Sequence, residues 1–244
     1  MHPAIPLRRV MTEGGARVSE VGDWAAPVAL TGRHVRLEPL APAHAPGLLA
    51  AADDDAVFEH LSVARPLDLD DAAALVARYL RMPLWAWVQV DVASGEVAGL
   101  TTFYDMDESL RTLAIGHTWL ARRHWRTALN TEAKLLLLSH AFDVMRCVRI
   151  VWHTDVRNVR SQEAIARLGA QREGVLRKHK VRRDGTWRDT VQFSMLDDDW
   201  PSARRRVQSR LDREPTRLTP RARAGGPAPA TPPGPTAPPR RPSP

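Results

Sequence analysis

The sequence predicts an α/β (α+β) fold: a single domain on a mixed, mostly antiparallel sheet with helices on both faces. Three observations predict it. Two hairpins, 85–91 with 96–105 and 171–181 with 186–196, supply antiparallel strands on either side of a centre. That centre reads strand (110–120), helix (about 128–145), strand (147–155), then a short helix (158–170). A right-handed crossover brings its two strands side by side and parallel. Finally, 244 residues at 43% hydrophobic content are enough for one good core.

Each element has a local reason. HVRLEPL (34–40) alternates and reads as a first strand. Residues 42–52 and 69–82 read as helices, the second with Asp70 and Asp71 on the favourable side of its dipole. Ala93-Ser94-Gly95 turns the first hairpin and Asp184-Gly185 the last. Leu135, Leu138, Phe142 and Met145 recur at helical spacing and mark a core face. The 147–155 strand is rich in β-branched residues, and Gly169 offers a left-handed stop to the 158–170 helix. Asp197–Trp200 is expected to end the fold.

Composition shifts at the ends. Residues 1–23 are weakly patterned, 24–200 form the expected domain, and 201–244 read as a mostly disordered tail rich in Pro, Arg and Ala. A short helix near 203–211 is an option within that tail. The formal charge of +7 is uneven. Ten arginines against Asp212 and Glu214 give the tail +8, which leaves the body at −1. A basic fold face for nucleic acid is therefore not supported, and any such contact is expected only through the tail. Cys147 is the only cysteine, which fits a reducing cytoplasm and excludes an internal disulfide or a Cys-based zinc site. Neither a signal-peptide pattern nor an apolar run near 18 residues is visible, so no membrane partner is expected.

The segment RRHWRTALNTEAKLLLL (122–138) carries the main chemical signal. A basic loop enters the first turn of an apolar-faced helix, directly after a strand. Unpaired N–H groups and the positive dipole end make such a start an anion site. An ordinary strand–loop–helix with solvated arginines reads the same way.

The motifs GRHVRLEPL (32–40), IGHTWL (115–120), NTEAKLLLLSHAF (130–142), TDVRNVRSQEAIARLGA (154–170) and EGVLRKHKVRRDGTWRDTVQFSMLDDDW (173–200) together resemble the GNAT acetyl-CoA-dependent N-acetyltransferases. More narrowly, they resemble the branch related to the bacterial RimJ/RimL enzymes, which acetylate N-termini of ribosomal proteins. The resemblance implies a sheet splayed at its central parallel pair, acetyl-CoA as co-substrate with no metal, and direct attack by an amine. The acceptor is then a protein N-terminus or a small amine, and the last hairpin borders the acceptor site or a homodimer contact. A non-catalytic module that senses CoA, or binds RNA or the ribosome through the tail, is the alternative.

The resemblance also implies roles. Backbone groups near Trp119, Leu120 and Ala121 would pair with the pantetheine arm, and one N–H would face the thioester oxygen. Amides of Arg123, Arg126, Thr127 and Ala128 would hold the pyrophosphate, with Asn130 and Thr131 in the following turn. Arg126 departs from the family pattern, which has Gly there. It needs either an ordinary backbone conformation or a tolerated strained one, and its guanidinium could reach a phosphate. Asn158 would bond the pantetheine, or only cap its helix. Ser161 would give the leaving thiolate its proton. For the general base, His117 is the first candidate, with Glu132, Asp105, Asp107 and a water chain behind it. Trp85, Trp87, Phe103 and Tyr104 are candidates for an acceptor wall. Cys147 and the other histidines, His140, His153 and His179, read as structural or exposed.

Overall fold

The computed structural model describes residues 23–213. Residues 1–22 and 214–244, which carry most of the expected extension and tail, lie outside the described residues. The strands are β1 (Leu30–Thr31), β2 (Val35–Pro39), β3 (Trp85–Asp91), β4 (Val97–Asp107), β5 (Thr112–Leu120), β6 (Arg149–Asp155), β7 (Gln171–Val181) and β8 (Trp187–Leu196). They form one sheet in the order β1-β2-β3-β4-β5-β6-β8-β7. Only β5 and β6 pair in parallel. The helices are α1 (Ala45–Ala51), α2 (Leu69–Arg81), α3 (Ala128–Ser139), α4 (Val159–Leu168) and α5 (Trp200–Arg213).

Two apolar cores cover opposite faces. On one, α3, α4 and α5 pack Leu137, Leu138, Ile165 and Val207 against Phe103, Ile115, Trp152 and Phe193. On the other, α1 and α2 pack Leu48, Leu75, Val76 and Tyr79 near Val88, Leu100 and Trp119. Helix α2 forms because Ala72, Leu75, Val76 and Tyr79 recur at helical spacing, while Asp68 caps Asp71 N–H at 2.8 Å. Helix α3 ends in a π-helical turn, His140–Val144, so the expected 128–145 helix is continuous in space but not in hydrogen bonding. Gly169 closes α4 at φ 100°, the left-handed stop that its sequence position predicts.

The fold does not stop at Trp200. Helix α5 buries Trp200, Ala203, Val207 and Leu211 and stacks Trp200 on Phe142 at 5.5 Å. Those four residues have helical spacing, but the surrounding arginines dominate the composition and hide it. At the other end, Trp24 donates its indole N–H to Met145 C=O at 2.9 Å. Among the described residues no helix is long and apolar enough to cross a membrane.

Candidate active site

Strands β5 and β6 pair only from Thr112–Ala114 against Arg149–Val151. Beyond that point β5 stays on β4 as far as Leu120, and β6 stays on β8 as far as Asp155. The sheet therefore opens between them. Ala121 N–H bonds Ala98 C=O at 2.8 Å. Because an antiparallel ladder alternates, the polar groups of Leu120 point the other way, into the opening. The Leu120 C=O is taken by Trp125 Nε1 at 2.9 Å, which leaves its N–H as the available donor. The Trp119 C=O accepts from Gln89 Nε2 at 3.2 Å, and its ring packs on Phe58. Trp119 and Ala121 thus act as ladder and core, and Leu120 is the residue of the three that offers a group to the opening.

The basic loop leads from β5 to α3. Arg126 adopts φ 59°, the left-handed conformation that glycine occupies without cost. The departure from the Gly pattern is therefore in residue type and not in backbone path. Thr127 caps α3, donating to His124 C=O at 2.8 Å and accepting from Leu129 N–H at 3.4 Å. Arg123 is less free than its sequence position suggests, since its guanidinium lies 3.2 Å from Asp53 and 3.6 Å from Glu96. Asp53 also accepts from Arg122 N–H at 2.8 Å. Asn130 is half-buried, and its Oδ1 is buried without a donor among the described residues. A buried acceptor left open in this way suits a ligand N–H. Thr131 is half-buried beside it.

Arg126→Gly is expected to stabilise the fold by about 1 kcal/mol, since a side chain in the left-handed region costs roughly that much. The thermal midpoint should rise by roughly 2–4 °C. If the guanidinium also holds a phosphate, acetyl-CoA affinity falls in the same variant, so calorimetry separates the two effects.

Across the opening, Asn158 caps α4 by accepting from Ser161 N–H at 3.0 Å. The capping role is real, and it leaves the Asn158 amide N–H groups to donate elsewhere. The Ser161 hydroxyl is half-buried, and among the described residues it has no hydrogen-bond partner. Arg160, from the same turn, stacks over the Trp125 ring at 3.6 Å. That contact joins the α4 start to the β5–α3 loop. In the sequence Arg160 is one arginine among many, and nothing local marks it.

His117 sits on a bulge. Leu100 pairs with Trp119 but Thr102 pairs with Gly116, so β5 carries one extra residue there. His117 takes φ 48°. Ile115 faces the α3 core and Thr118 bonds Lys134 of α3, while the His117 ring meets Tyr79 of α2. The bulge is what turns His117 to the α2 side. Two further bulges carry Asp105 (φ 47°) on β4 and Lys178 (φ 47°) on β7.

The bulges gather a polar cluster from five strands. The His117 ring lies edge-on to Tyr104 at 5.2 Å, and His153 lies 5.5 Å from His179. Tyr104 Oη is 3.0 Å from His153 Nδ1, and His153 Nε2 is 3.0 Å from Gln192 Oε1. Gln192 gives its amide N–H to Glu173 at 2.8 Å, so its oxygen faces the histidine. The direction follows: His153 Nε2–H donates to Gln192, and Nδ1 accepts from Tyr104 O–H. Burial pushes His117 down to about 4, with Lys180 and Arg78 acting in the same sense. It is neutral at pH 7 and a weak base. The tyrosine hydroxyl is pushed up by burial.

Other expected candidates fall elsewhere. Trp87 and Phe103 are fully buried and pack edge to face at 4.9 Å in the α3-side core, with Trp85 against Trp87; Tyr104 alone of the four reaches the cluster. Glu132 is buried one turn into α3 and accepts from the N–H groups of Arg33, His34 and Val35. Asp107 bonds Ser109 and Leu110 N–H in its own turn. Cys147 is buried and its thiol is pushed up to about 12, which removes it as a nucleophile. Lys134, also buried, donates to Thr118 at 2.7 Å and Thr101 at 3.2 Å, and so braces the bulge from beneath. Burial alone lowers its ammonium to about 7. Among the described residues no three His, Cys, Asp or Glu side chains are placed to hold a metal ion.

A sheet opened at its central parallel pair, with a helix N-terminus at one rim and a capped helix at the other, defines an acetyltransferase class of fold. Comparison with known proteins makes this specific. Residues 34–171 match the acetyltransferase (GNAT) domain family, and the chain belongs to that family. Its fold implies acetyl-CoA binding. A crystal structure of an acetyltransferase from T. thermophilus is similar at 41% identity and TM-score 0.71, covering 78% of this chain and 100% of that one. A GCN5-related N-acetyltransferase from Brucella melitensis is similar at 30% identity and TM-score 0.73, covering 75% and 85%. Mycobacterium smegmatis RimJ, solved with CoA-disulfide, shares the fold at 24% identity and TM-score 0.58, covering 72% and 88%. The Bacillus subtilis protein named "Probable N-acetyltransferase YjcK" is 28% identical over 103 residues. That match spans 42% of this chain and 56% of YjcK.

Proposed function

We propose that the protein transfers the acetyl group of acetyl-CoA to a primary amine by direct attack within a ternary complex. The observation that carries this reading is the opening between β5 and β6, with the Leu120 N–H directed into it. In this reading the pantetheine arm lies along β5, and the Leu120 N–H faces the thioester oxygen as charge develops. The amides of Arg126, Thr127 and Ala128 hold the pyrophosphate at the α3 start. Asn130 Oδ1, Thr131 and the Asn158 amide serve the rest of the arm, and Ser161 protonates the leaving thiolate. His117, neutral and weakly basic, orients the amine, whose proton leaves through water. Within the family the motifs favour the RimJ/RimL-like branch, whose acceptors are protein N-termini.

Calorimetric titration of the protein with acetyl-CoA tests the reading. Micromolar affinity, about −8 kcal/mol, is expected. Absence of binding would remove the cofactor assignment, and acetyl transfer with it.

A further inference from the structure

The cluster beside His117 carries more positive charge than its carboxylates balance. Lys180 of β7 lies directly opposite Arg188 of β8 in the register. Like charges so placed repel, and folds avoid the pairing unless something else compensates it. Arg188 is 15% exposed in its side chain, and its Nε is buried with no hydrogen-bond partner. The nearby carboxylate is already used. Asp155, 3% exposed, is held by Arg182 at 2.6 and 2.9 Å, and one of its oxygens also accepts from Arg157 N–H at 2.9 Å. Arg188 stands 4.0 Å from it, too far to bond. Among the described residues nothing accepts a hydrogen bond from Arg188.

The wider charge balance has the same sign. Arg78 of α2, Lys180 and Arg188 act on His117 against one carboxylate, Asp105. The acidic run Asp53–Asp55, which in sequence favours a cationic acceptor, is neutralised elsewhere. Asp53 pairs with Arg123, Asp54 with Arg122 and Asp55 with Arg65. A half-buried guanidinium with open donors, facing an ammonium across a strand pair, is suited to a planar anion.

We propose that Arg188, with Lys180 across the hairpin, binds a carboxylate of the acceptor, so the acceptor class is an amine that also carries a carboxylate. This specifies the acceptor side of the amine-acetylation reading and rests on it. The carboxylate has two sources: the α-carboxylate of a free amino acid, or an acidic side chain at a peptide N-terminus.

The test uses the full chain, acetyl-CoA and matched acceptor pairs, with CoA release as the readout. Glycine against glycinamide and L-glutamate against its α-amide probe the first source. Peptides beginning Asp or Glu, against the same peptides beginning Asn or Gln, probe the second. In one arm or the other, the carboxylate member is expected to lead in kcat/KM by about tenfold or more. Arg188→Gln should erase that preference, Arg188→Lys should keep part of it, and the acetyl-CoA Kd should stay unchanged. In parallel, L-glutamate titrated into the protein without acetyl-CoA should shift the His153 imidazole signals of the wild type and not of Arg188→Gln.

Equal or better turnover of the uncharged members would overturn the proposal. So would unmoved histidine signals, or an Arg188→Gln variant that loses acetyl-CoA affinity with its preference intact, because the guanidinium would then serve a CoA phosphate. If the wild type binds no acetyl-CoA, the transferase reading fails by itself, and the glutamate titration still decides the role of Arg188.

Discussion

Glu132→Ala is expected to destabilise the protein by about 4 kcal/mol, a large share of the roughly 5–15 kcal/mol that holds a domain together. The Glu132 carboxylate is 7% exposed. It accepts from Arg33 N–H at 2.8 Å, His34 N–H at 2.5 Å and Val35 N–H at 2.9 Å. Those three donors form the turn between β1 and β2, and the carboxylate gathers all of them from one side. Truncation leaves the three unpaired, at about 1–3 kcal/mol for each that water does not reach. Gly32 completes the fit, since a Cβ there would collide with the Glu132 carboxyl group. Urea denaturation should show a lower midpoint with an unchanged slope. The folded fraction should keep its kcat, which separates this structural role from the general-base role that the sequence also allows. A loss under about 1 kcal/mol would mean that the turn finds other partners.

Glu132 shows why the fold is more legible than the site. Strand alternation, Gly turns and helical spacing are local signals, and they place β3, β7, α2 and α4 to within a residue or so. The carboxylate's partners lie 97–99 residues away in sequence, so only a folded chain reveals them. His117 makes the same point. Simple alternation puts it on the face of Ile115, in the α3 core. One extra residue in β5 moves it to the other side, and nothing in IGHTWL marks that residue. The cluster of Tyr104, His153 and Gln192 depends on the resulting geometry, and its members look ordinary in sequence. Arg126 is legible as an exception to the loop pattern, but its left-handed backbone is not. Helix α5 is hidden for a different reason. Its apolar stripe lies inside an arginine-rich stretch whose composition argues for disorder.

Ser161→Ala should lower kcat by about a hundredfold while leaving the acetyl-CoA Kd within roughly twofold, the signature of a group used only in the chemical step. Asn158 Oδ1 fixes the Ser161 backbone at 3.0 Å, and the helix cap fixes the turn that carries it. The hydroxyl therefore has a defined position and, among the described residues, no competing partner. When the tetrahedral intermediate collapses, the C–S bond breaks and the thiolate needs a proton. At pH 7 that proton comes fastest from a donor already in place. No other hydroxyl lies in the first turn of α4, and the basic residues there, Arg157 and Arg160, hold their protons too tightly to give them up. Alanine keeps the helix, because the cap uses the residue's backbone N–H and not its side chain. A drop in kcat without loss of stability or affinity would thus report proton donation. Unchanged kcat would assign the proton to water and leave Ser161 as a helix residue only.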